Sequence, residues 1–268
     1  WAALRGVLGN GARLREALFY GKALLRRGIR LQWGHSVFAV EGERRVQRAV
    51  IGRLDGNGRP IRATARTIDV DVVCAGFGLV PAIELGLLLR CKATMDAPRG
   101  GHRIEVDEQQ RTSTTGVWAA GEIVGIGGAE VAMAEGKLAG ASIAAARGRG
   151  AVDAALVRRV RTERRAADAM LRAFVLRPGI FELADAATVV CRCEDVTVEQ
   201  VRAAANLHGA SARGIKMGCR AGMGPCQARI CGPNLEAIGC GRMAPEQPVV
   251  QVPVKAVGAG TMLDAPRA

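Results

Sequence analysis

Four cysteines near the C-terminal end form two close pairs, Cys191 with Cys193 and Cys226 with Cys231. An insert of 32 residues separates the two pairs. Each pair can come from one local turn, and folding can then bring the pairs together as a site for four thiolates. Because clustered cysteines in a chain without a recognisable secretion signal bind metal or do redox chemistry more often than they form disulfides, the sequence predicts a metal site.

The spacing of the first pair bears on which metal is bound. Structural zinc is usually held by C-x₂-C or C-x₄-C knuckles, and the single intervening residue Arg192 is too short for that wrap. A four-thiolate [2Fe-2S] cluster carries net negative charge, which nearby cations stabilise. The pattern therefore favours a [2Fe-2S] cluster, with zinc and a disulfide pair as alternatives. The flanking cations are Arg192, Lys216, Arg220 and Arg229.

A second candidate site lies upstream of the cysteines. The stretch Thr115–Glu122 is predicted to end a strand, and the glycine-rich loop Gly125–Gly128 follows it. A helix rich in small residues is then predicted from Ala129 to about Ala146. A strand, a glycine-rich loop and a helix start together present backbone N–H groups and a positive dipole end to an anion or an electron-rich ring.

This stretch resembles the second flavin-binding motif of the glutathione-reductase-like disulfide and amine oxidoreductases. In that motif a Gly-Asp pair holds the ribityl chain of FAD, and Glu122 stands here where Asp is usual. The resemblance implies FAD as a cofactor. It also implies that the cofactor-binding residues are Ala120, Gly121, Glu122, Gly127, Gly128 and Ala129.

The segment Arg220–Cys231 resembles the bacterioferritin-associated ferredoxin-like (BFD-like) [2Fe-2S] domain. Its Arg-Ala-Gly-Met-Gly version is typical of the FAD-containing subunits of opine oxidase, hydroxyproline and proline dehydrogenases and hydrogen cyanide synthase. Cys219 stands where Thr is expected, so it is a spare thiol and not a fifth ligand. The resemblance implies that Cys191, Cys193, Cys226 and Cys231 ligate the cluster.

The same resemblance implies a function. It predicts an electron-transferring flavoprotein subunit of a multi-subunit amine or imino-acid dehydrogenase of opine, proline or glycine type. One expected partner is a substrate-oxidising flavoprotein subunit, and the other is a small ferredoxin-like subunit. A second nucleotide, NAD(P) or an adenine nucleotide, is a further expected ligand. Because no segment supplies the three-glycine fingerprint, the chain is expected to be the C-terminal portion of a longer protein.

The periodicity predicts the elements that position these residues. Helices are predicted at Ala12–Arg27 and Pro81–Leu89, and a long Arg-rich helix is predicted from Gly150 to Phe181. Thr197 with Gln200 predicts a capping box that begins a helix through about Leu207. The predicted strands are Ile29–Trp33, Ser36–Val40, Val46–Leu54, Ile61–Thr67 and a buried parallel strand at Ile68–Ala75.

The predicted fold class is α/β, namely part of a flavoprotein fold with two dinucleotide-binding domains, followed by a small, mainly helical [2Fe-2S] domain. Five segments are expected. They are the remainder of the second nucleotide-binding domain (1–66), the C-terminal part of the FAD-binding domain (67–149), a helical connector (150–185), the BFD-like domain (186–245) and an extended tail (246–268).

Composition and charge narrow the function classes. The formal net charge is +13, but Lys and Arg are spread along the whole chain without a basic run interleaved with aromatics, so nucleic acid is not expected as a partner. No stretch reaches the roughly 18 apolar residues of a membrane span. The expected location is the cytoplasm, with peripheral association at the inner membrane. Four other cysteines are predicted to be small buried hydrophobes, namely Cys74, Cys91, Cys219 and Cys240.

No acid–base pair or supported nucleophile is recognisable, so no catalytic residues are predicted, which agrees with a relay role. Glu84 and Glu130 lie at predicted helix starts, where the dipole stabilises acidic side chains, and no chemistry is assigned to them. Two other functions remain open. One is a zinc-stapled binding or regulatory module without redox activity. The other is a flavin and [2Fe-2S] oxidoreductase of nitrite-reductase or glycerol-phosphate-dehydrogenase type.

Overall fold

The structure is a computed structural model that describes residues 11–172, 174–241 and 250. The helices are α1 (Gly11–Arg26), α2 (Glu84–Leu88), α3 (Ala129–Ala146), α4 (Ala154–Leu171), α5 (Val198–His208), α6 (Ala212–Cys219) and α7 (Gly232–Cys240). The strands are β1 (His35–Glu41), β2 (Arg48–Arg53), β3 (Arg66–Asp69), β4 (Ala93–Asp96), β5 (Gly101–Ile104), β6 (Val189–Cys191) and β7 (Val196–Thr197). Short 3₁₀ turns cover Arg62–Thr64, Ala97–Arg99, Glu122–Val124 and Pro178–Leu183.

The chain divides into two compact units, and the division falls within α4. One unit contains Trp1–Leu79 with Arg164–Asp185, and the other contains Val80–Glu163 with Ala186–Ala268. The boundaries of the five segments expected from the sequence stay predictions. The expected tail at 246–268 lies outside the described residues except for residue 250.

The first unit contains α1 and an antiparallel sheet of order β1-β2-β3. Gly28 ends α1 at φ 65°, and the Ile29 N–H donates to the Leu24 carbonyl at 3.0 Å, as in a Schellman motif. The turn between β2 and β3 is held by Asp55, whose carboxylate accepts the N–H groups of Asn57 and Arg59 at 2.8 Å each. These amides hold the pKa of the Asp55 carboxyl below its usual value, although slight burial opposes them.

The described residues of the second unit form three apolar cores. One of them joins α3 to α4 and contains Ala134, Leu138 and Val160. The core of the unit's flavin-motif part (80–163) is Ile83, Cys91, Ile104, Ala119 and Val124. The partly buried residues packed against it are Leu87, Ala93, Val106, Val117 and Ile123. The core of its cysteine part joins α5, α6 and α7 to β6 and β7. It contains Cys191, Val196, Val201, Ala205, Ile215, Ala221, Cys231 and Leu235.

Several predicted helices are confirmed. The α3 helix begins at Ala129 and ends at Ala146, as the small-residue pattern indicated. The α5 helix begins after Thr197, and both reciprocal hydrogen bonds of the Thr197–Gln200 capping box are present. The Arg-rich connector helix is shorter than predicted, because it spans only Ala154–Leu171.

Four strand predictions are wrong. In the strand predicted at Ile61–Thr67, a 3₁₀ turn covers Arg62–Thr64 and β3 begins only at Arg66. The parallel strand predicted at Ile68–Ala75 is replaced by β3, which pairs antiparallel with β2 and ends at Asp69. Because β2 begins at Arg48, the chain after Val70 has no further β2 residue to pair with, and it continues without a strand to α2. The Ile29–Trp33 strand is likewise absent, since that stretch leads into a turn.

The strand predicted to end at Thr115–Glu122 is also wrong. The Val117 N–H donates to the Thr114 carbonyl and so closes a turn. This turn folds the stretch back on itself. Only an isolated bridge between Arg111 and Trp118 forms within it. The residue pattern is apolar enough for a strand, but the turn leaves too few residues on each side to extend the ladder.

Candidate cofactor sites

Two of the four predicted ligand cysteines are buried side by side. Cys191 ends β6 and is 1% exposed, whereas Cys231 immediately precedes α7 and is 2% exposed. The Cys231 thiol hydrogen-bonds to the Cys191 sulfur. The fold therefore brings one cysteine of each sequence pair into direct contact.

Backbone amides converge on the Cys191 sulfur. The Gly222 N–H donates to it at 3.5 Å, and the backbone N–H groups of Cys193 and Glu194 also bond to it. Burial opposes ionisation of Cys191, but these donors together hold the pKa of its thiol below its usual value. The surroundings of Cys191 are thus built for a negatively charged sulfur.

The pKa of the neighbouring Cys231 thiol is shifted in the opposite direction. Burial and the negative charges of Cys191 and Cys226 raise the pKa of Cys231 to about 12. A thiolate ligand must lose its proton when metal binds, so cluster insertion at Cys231 must release one.

The remaining two cysteines lie at the edge of this pair. Cys193 is exposed and Cys226 is half-buried. A Cβ atom on Gly224 would lie 2.1 Å from the Cβ of Cys193, so only glycine allows the loop before Cys226 to approach Cys193 this closely. The glycine-rich approach predicted from the sequence therefore has a defined steric purpose.

Within the described part of the chain, no three or more His, Cys, Asp or Glu side chains are already grouped to hold a single metal ion. The donor set nevertheless fits a two-iron cluster in its chemistry. Four thiols are divided between two loops, and amide donors face the buried sulfur.

Cys91 is buried as expected, and Cys219 and Cys240 are half-buried beside the cysteine core. Cys74 is exposed, so the expectation of burial was wrong for that residue. It lies in the irregular stretch that follows β3, where no strand buries its side chain.

The flavin-motif turn, which comprises residues 121–124, is held by Glu135, a residue that was not predicted from the sequence. The Gly121 N–H donates to Oε2 of Glu135 at 2.8 Å, and Glu135 on α3 is 2% exposed. Gly121 has φ 83° and ψ −150°, a conformation that only glycine adopts readily. The buried carboxylate thus fixes a residue of the motif whose backbone conformation favours glycine.

The same face of α3 anchors the stretch before the turn. The Trp118 indole N–H donates to the Ser142 hydroxyl at 2.9 Å, and Leu138 between Glu135 and Ser142 is fully buried. Positions 135, 138 and 142 share one helix face. A lone carboxylate on an otherwise apolar helix face was the available sequence signal for Glu135.

The other predicted flavin residues line the same loop. Ala120 precedes Gly121, Glu122 begins the turn Glu122–Val124, and Gly127 with Gly128 leads into α3. Gly128 has φ 81°, and no side chain caps the helix start at Ala129. The structure therefore places these six residues on one turn–loop–helix segment.

Among the described helices, none is both long enough and apolar enough to cross a membrane.

Two segments of the chain match known protein families. Residues 7–136 match the pyridine nucleotide-disulphide oxidoreductase family, and residues 189–238 match the BFD-like [2Fe-2S] binding domain. The two matches indicate FAD for the first segment and a [2Fe-2S] cluster for the second. The four cysteines all lie within the second match.

Curated relatives are similar to this chain along most of its length. One opine oxidase subunit of Rhizobium meliloti strain 1021 is 33% identical over 88% of this chain and 53% of its own length. The HcnB subunit of hydrogen cyanide synthase from Pseudomonas aeruginosa is 33% identical over 76% of this chain and 45% of its own length. The chain thus spans about half the length of the curated relatives it matches.

A solved structure supports the fold. L-proline dehydrogenase from P. horikoshii superposes with a TM-score of 0.66, at 23% identity, over 91% of this chain and 48% of that protein. The expected class, a flavoprotein-like fold of helices and strands followed by a BFD-like domain, is confirmed. The chain is therefore a homologue of these opine oxidase and hydrogen cyanide synthase subunits, with a pyridine nucleotide-disulphide oxidoreductase segment followed by a BFD-like [2Fe-2S] binding domain.

Proposed function

We propose that this chain is the electron-transferring flavoprotein subunit of a multi-subunit amine or imino-acid dehydrogenase of opine, proline or glycine type. It passes electrons between a flavin and a [2Fe-2S] cluster. The observation that carries the proposal is the buried Cys191–Cys231 pair with amide donors on its sulfur, in the same compact unit as the flavin-motif turn.

In this proposal Cys191, Cys193, Cys226 and Cys231 ligate the cluster. Amides that already face Cys191 stabilise the negative charge that its sulfur carries as a ligand. A bound flavin would supply two-electron redox chemistry, and a bound cluster would supply one-electron transfer at the four cysteines that hold it.

The flavin residues divide into two roles. The Gly121 N–H is taken by Glu135, so Gly121 shapes the turn and its amide does not bind the cofactor. The Glu122 carboxylate is then the acceptor for sugar-chain hydroxyls. The uncapped start of α3 at Gly127–Ala129 presents its dipole end to the flavin or its phosphates.

The proposal of partner subunits is supported by the names of the relatives, which are subunits of opine oxidase and hydrogen cyanide synthase. In the proposed complex a second flavoprotein subunit oxidises the substrate, and a small ferredoxin-like subunit is a further partner. A cytoplasmic location with peripheral association at the inner membrane, and a second nucleotide ligand for the first segment, are parts of the same proposal.

The test is anaerobic reduction of the full-length protein in its native complex. Light-driven reduction of the flavin, followed by absorbance and low-temperature EPR, should produce the signal of a reduced [2Fe-2S] cluster as the flavin loses its absorbance. Glycine, proline and an opine, added as alternative reductants, should show which class of substrate gives the same signal. A flavin that is fully reduced while the cluster stays oxidised would contradict the proposal.

A further inference from the structure

One ion pair joins the second cysteine loop to the flavin-motif part of the same unit. Nε of Arg229 lies 2.7 Å from Oε1 of Glu84. The Arg229 side chain is 23% exposed and the Glu84 side chain is 15% exposed. Because both groups are largely withdrawn from water, this pair is held more tightly than a surface ion pair.

Arg229 also binds its own loop. Its Nη1 donates to the Cys226 carbonyl at 3.3 Å and to Oε1 of Gln227 at 2.9 Å. A guanidinium has a planar fork of donors, so one side chain can hold a loop and a distant carboxylate at the same time. Arg229 is therefore tied both to the loop that begins at Cys226 and to Glu84.

Glu84 is a firm attachment point for that contact. It is the first residue of α2, where the helix dipole favours a carboxylate. The preceding residue, Ile83, is buried with Ile104 and Val124. Since Val124 closes the turn that starts at Glu122, the ion pair and the flavin-motif turn share one apolar core.

Another cation that is expected to stabilise the cluster by charge, Arg220, makes a different kind of contact. Arg220 pairs with Glu194 at 3.0 Å, which joins two residues of the cysteine part, and the Arg220 side chain is 69% exposed. That pair acts within one segment, whereas Arg229–Glu84 spans two.

We propose that Arg229 and Glu84 are a positioning pair that fixes the Cys226–Cys231 loop against the flavin-motif part and so sets the rate of electron transfer between the two cofactors. This inference rests on the proposed function. Neither residue is a cluster ligand or a flavin ligand, so both act through the loop they hold.

The test variant is Glu84→Gln in the full-length protein and its native complex. Iron, flavin and the EPR line shape should match the wild-type protein, because the Arg229 contacts to Cys226 and Gln227 remain. Flavin-to-cluster electron transfer should slow, because losing one charged hydrogen bond raises the population of the detached loop by about tenfold. Hydrogen exchange of the Cys226–Cys231 backbone should become faster.

Two further variants control the result. Glu105→Gln removes a carboxylate from the exposed Lys92–Glu105 pair in the same unit and should leave both the transfer rate and the exchange rate unchanged. Arg229→Lys keeps the charge but loses the fork, so we expect an intermediate rate. This second variant keeps the inference testable if Glu84→Gln does not fold.

Several outcomes would overturn the inference. Wild-type transfer and exchange rates in a fully loaded Glu84→Gln protein would remove the positioning role. Loss of iron from that variant would show that Glu84 is needed to retain the cluster itself, and not only to position its loop. If the wild-type protein itself shows no flavin-to-cluster transfer, the proposed function fails instead, and the hydrogen-exchange comparison still reports on the ion pair.

Discussion

Cys193 is the proposed ligand that depends most on its loop, because it is exposed whereas Cys191 and Cys231 are buried. Its approach to the second loop relies on the missing side chain of Gly224. Cys193 and Gly224, both of which are visible in the sequence pattern, therefore lie against each other. The contact of the Gly222 amide with the Cys191 sulfur could not be predicted, since the two residues lie 31 positions apart in the chain.

We expect Cys193→Ser to retain the cluster at least about tenfold less well than the wild-type protein, because even groups that only support a metal ligand contribute 10–100-fold to affinity. Iron and acid-labile sulfide per chain after gel filtration are the measurement.

Cys219→Ser is the matched control for that change. The Cys219 thiol donates to the Ile215 carbonyl at 3.2 Å, and a serine hydroxyl can replace that hydrogen bond. Iron should therefore be unchanged in Cys219→Ser. Full iron in Cys193→Ser would exclude Cys193 from the ligand set, and iron loss in Cys219→Ser would bring Cys219 into it.

At the scale of elements, α3 is the support on which the proposed flavin site rests. One of its faces holds the Gly121 amide through Glu135 and the Trp118 indole through Ser142. The helix is thus both the dipole end of the site and the anchor of its turn. This double use explains why a carboxylate and a hydroxyl occur on a face that also carries the buried Leu138.

We expect Glu135→Ala to lower the free energy of unfolding by about 1–3 kcal/mol, because it leaves the Gly121 N–H without its carboxylate acceptor. FAD affinity should fall as well, since the turn that presents Glu122 loses its restraint. Glu135→Gln keeps an acceptor oxygen and should recover most of both. Chemical denaturation and a flavin titration measure the two quantities. Equal FAD affinity and stability in Glu135→Ala and the wild-type protein would show that the contact does not position the turn.

Elements defined by local signals were predicted well. The capping box at Thr197 and the glycine loop before Ala129 specify where their helices begin, and both starts are observed. Strands were predicted poorly, because their existence depends on a partner. The apolar run at Ile68–Ala75 fits a buried strand by composition, yet β2 supplies pairing only as far as Asp69.

At the scale of the whole molecule, the boundaries of the two family matches do not coincide with the boundaries of the two compact units. The match at 189–238 lies wholly within the second unit, whereas the match at 7–136 is shared between both units. The second unit therefore contains both the flavin-motif turn and the cysteines. This shared unit, which no sequence pattern indicated, makes the Arg229–Glu84 contact possible.

The most direct test of the account counts cofactors in the anaerobically purified full-length protein. Iron, acid-labile sulfide, zinc and flavin are measured on one sample, with absorbance and EPR before and after reduction. We predict two iron atoms and two sulfides per chain from the BFD-like domain, together with FAD, a brown colour and the EPR signal of a [2Fe-2S] cluster on reduction. A colourless protein with stoichiometric zinc and no flavin would contradict the account.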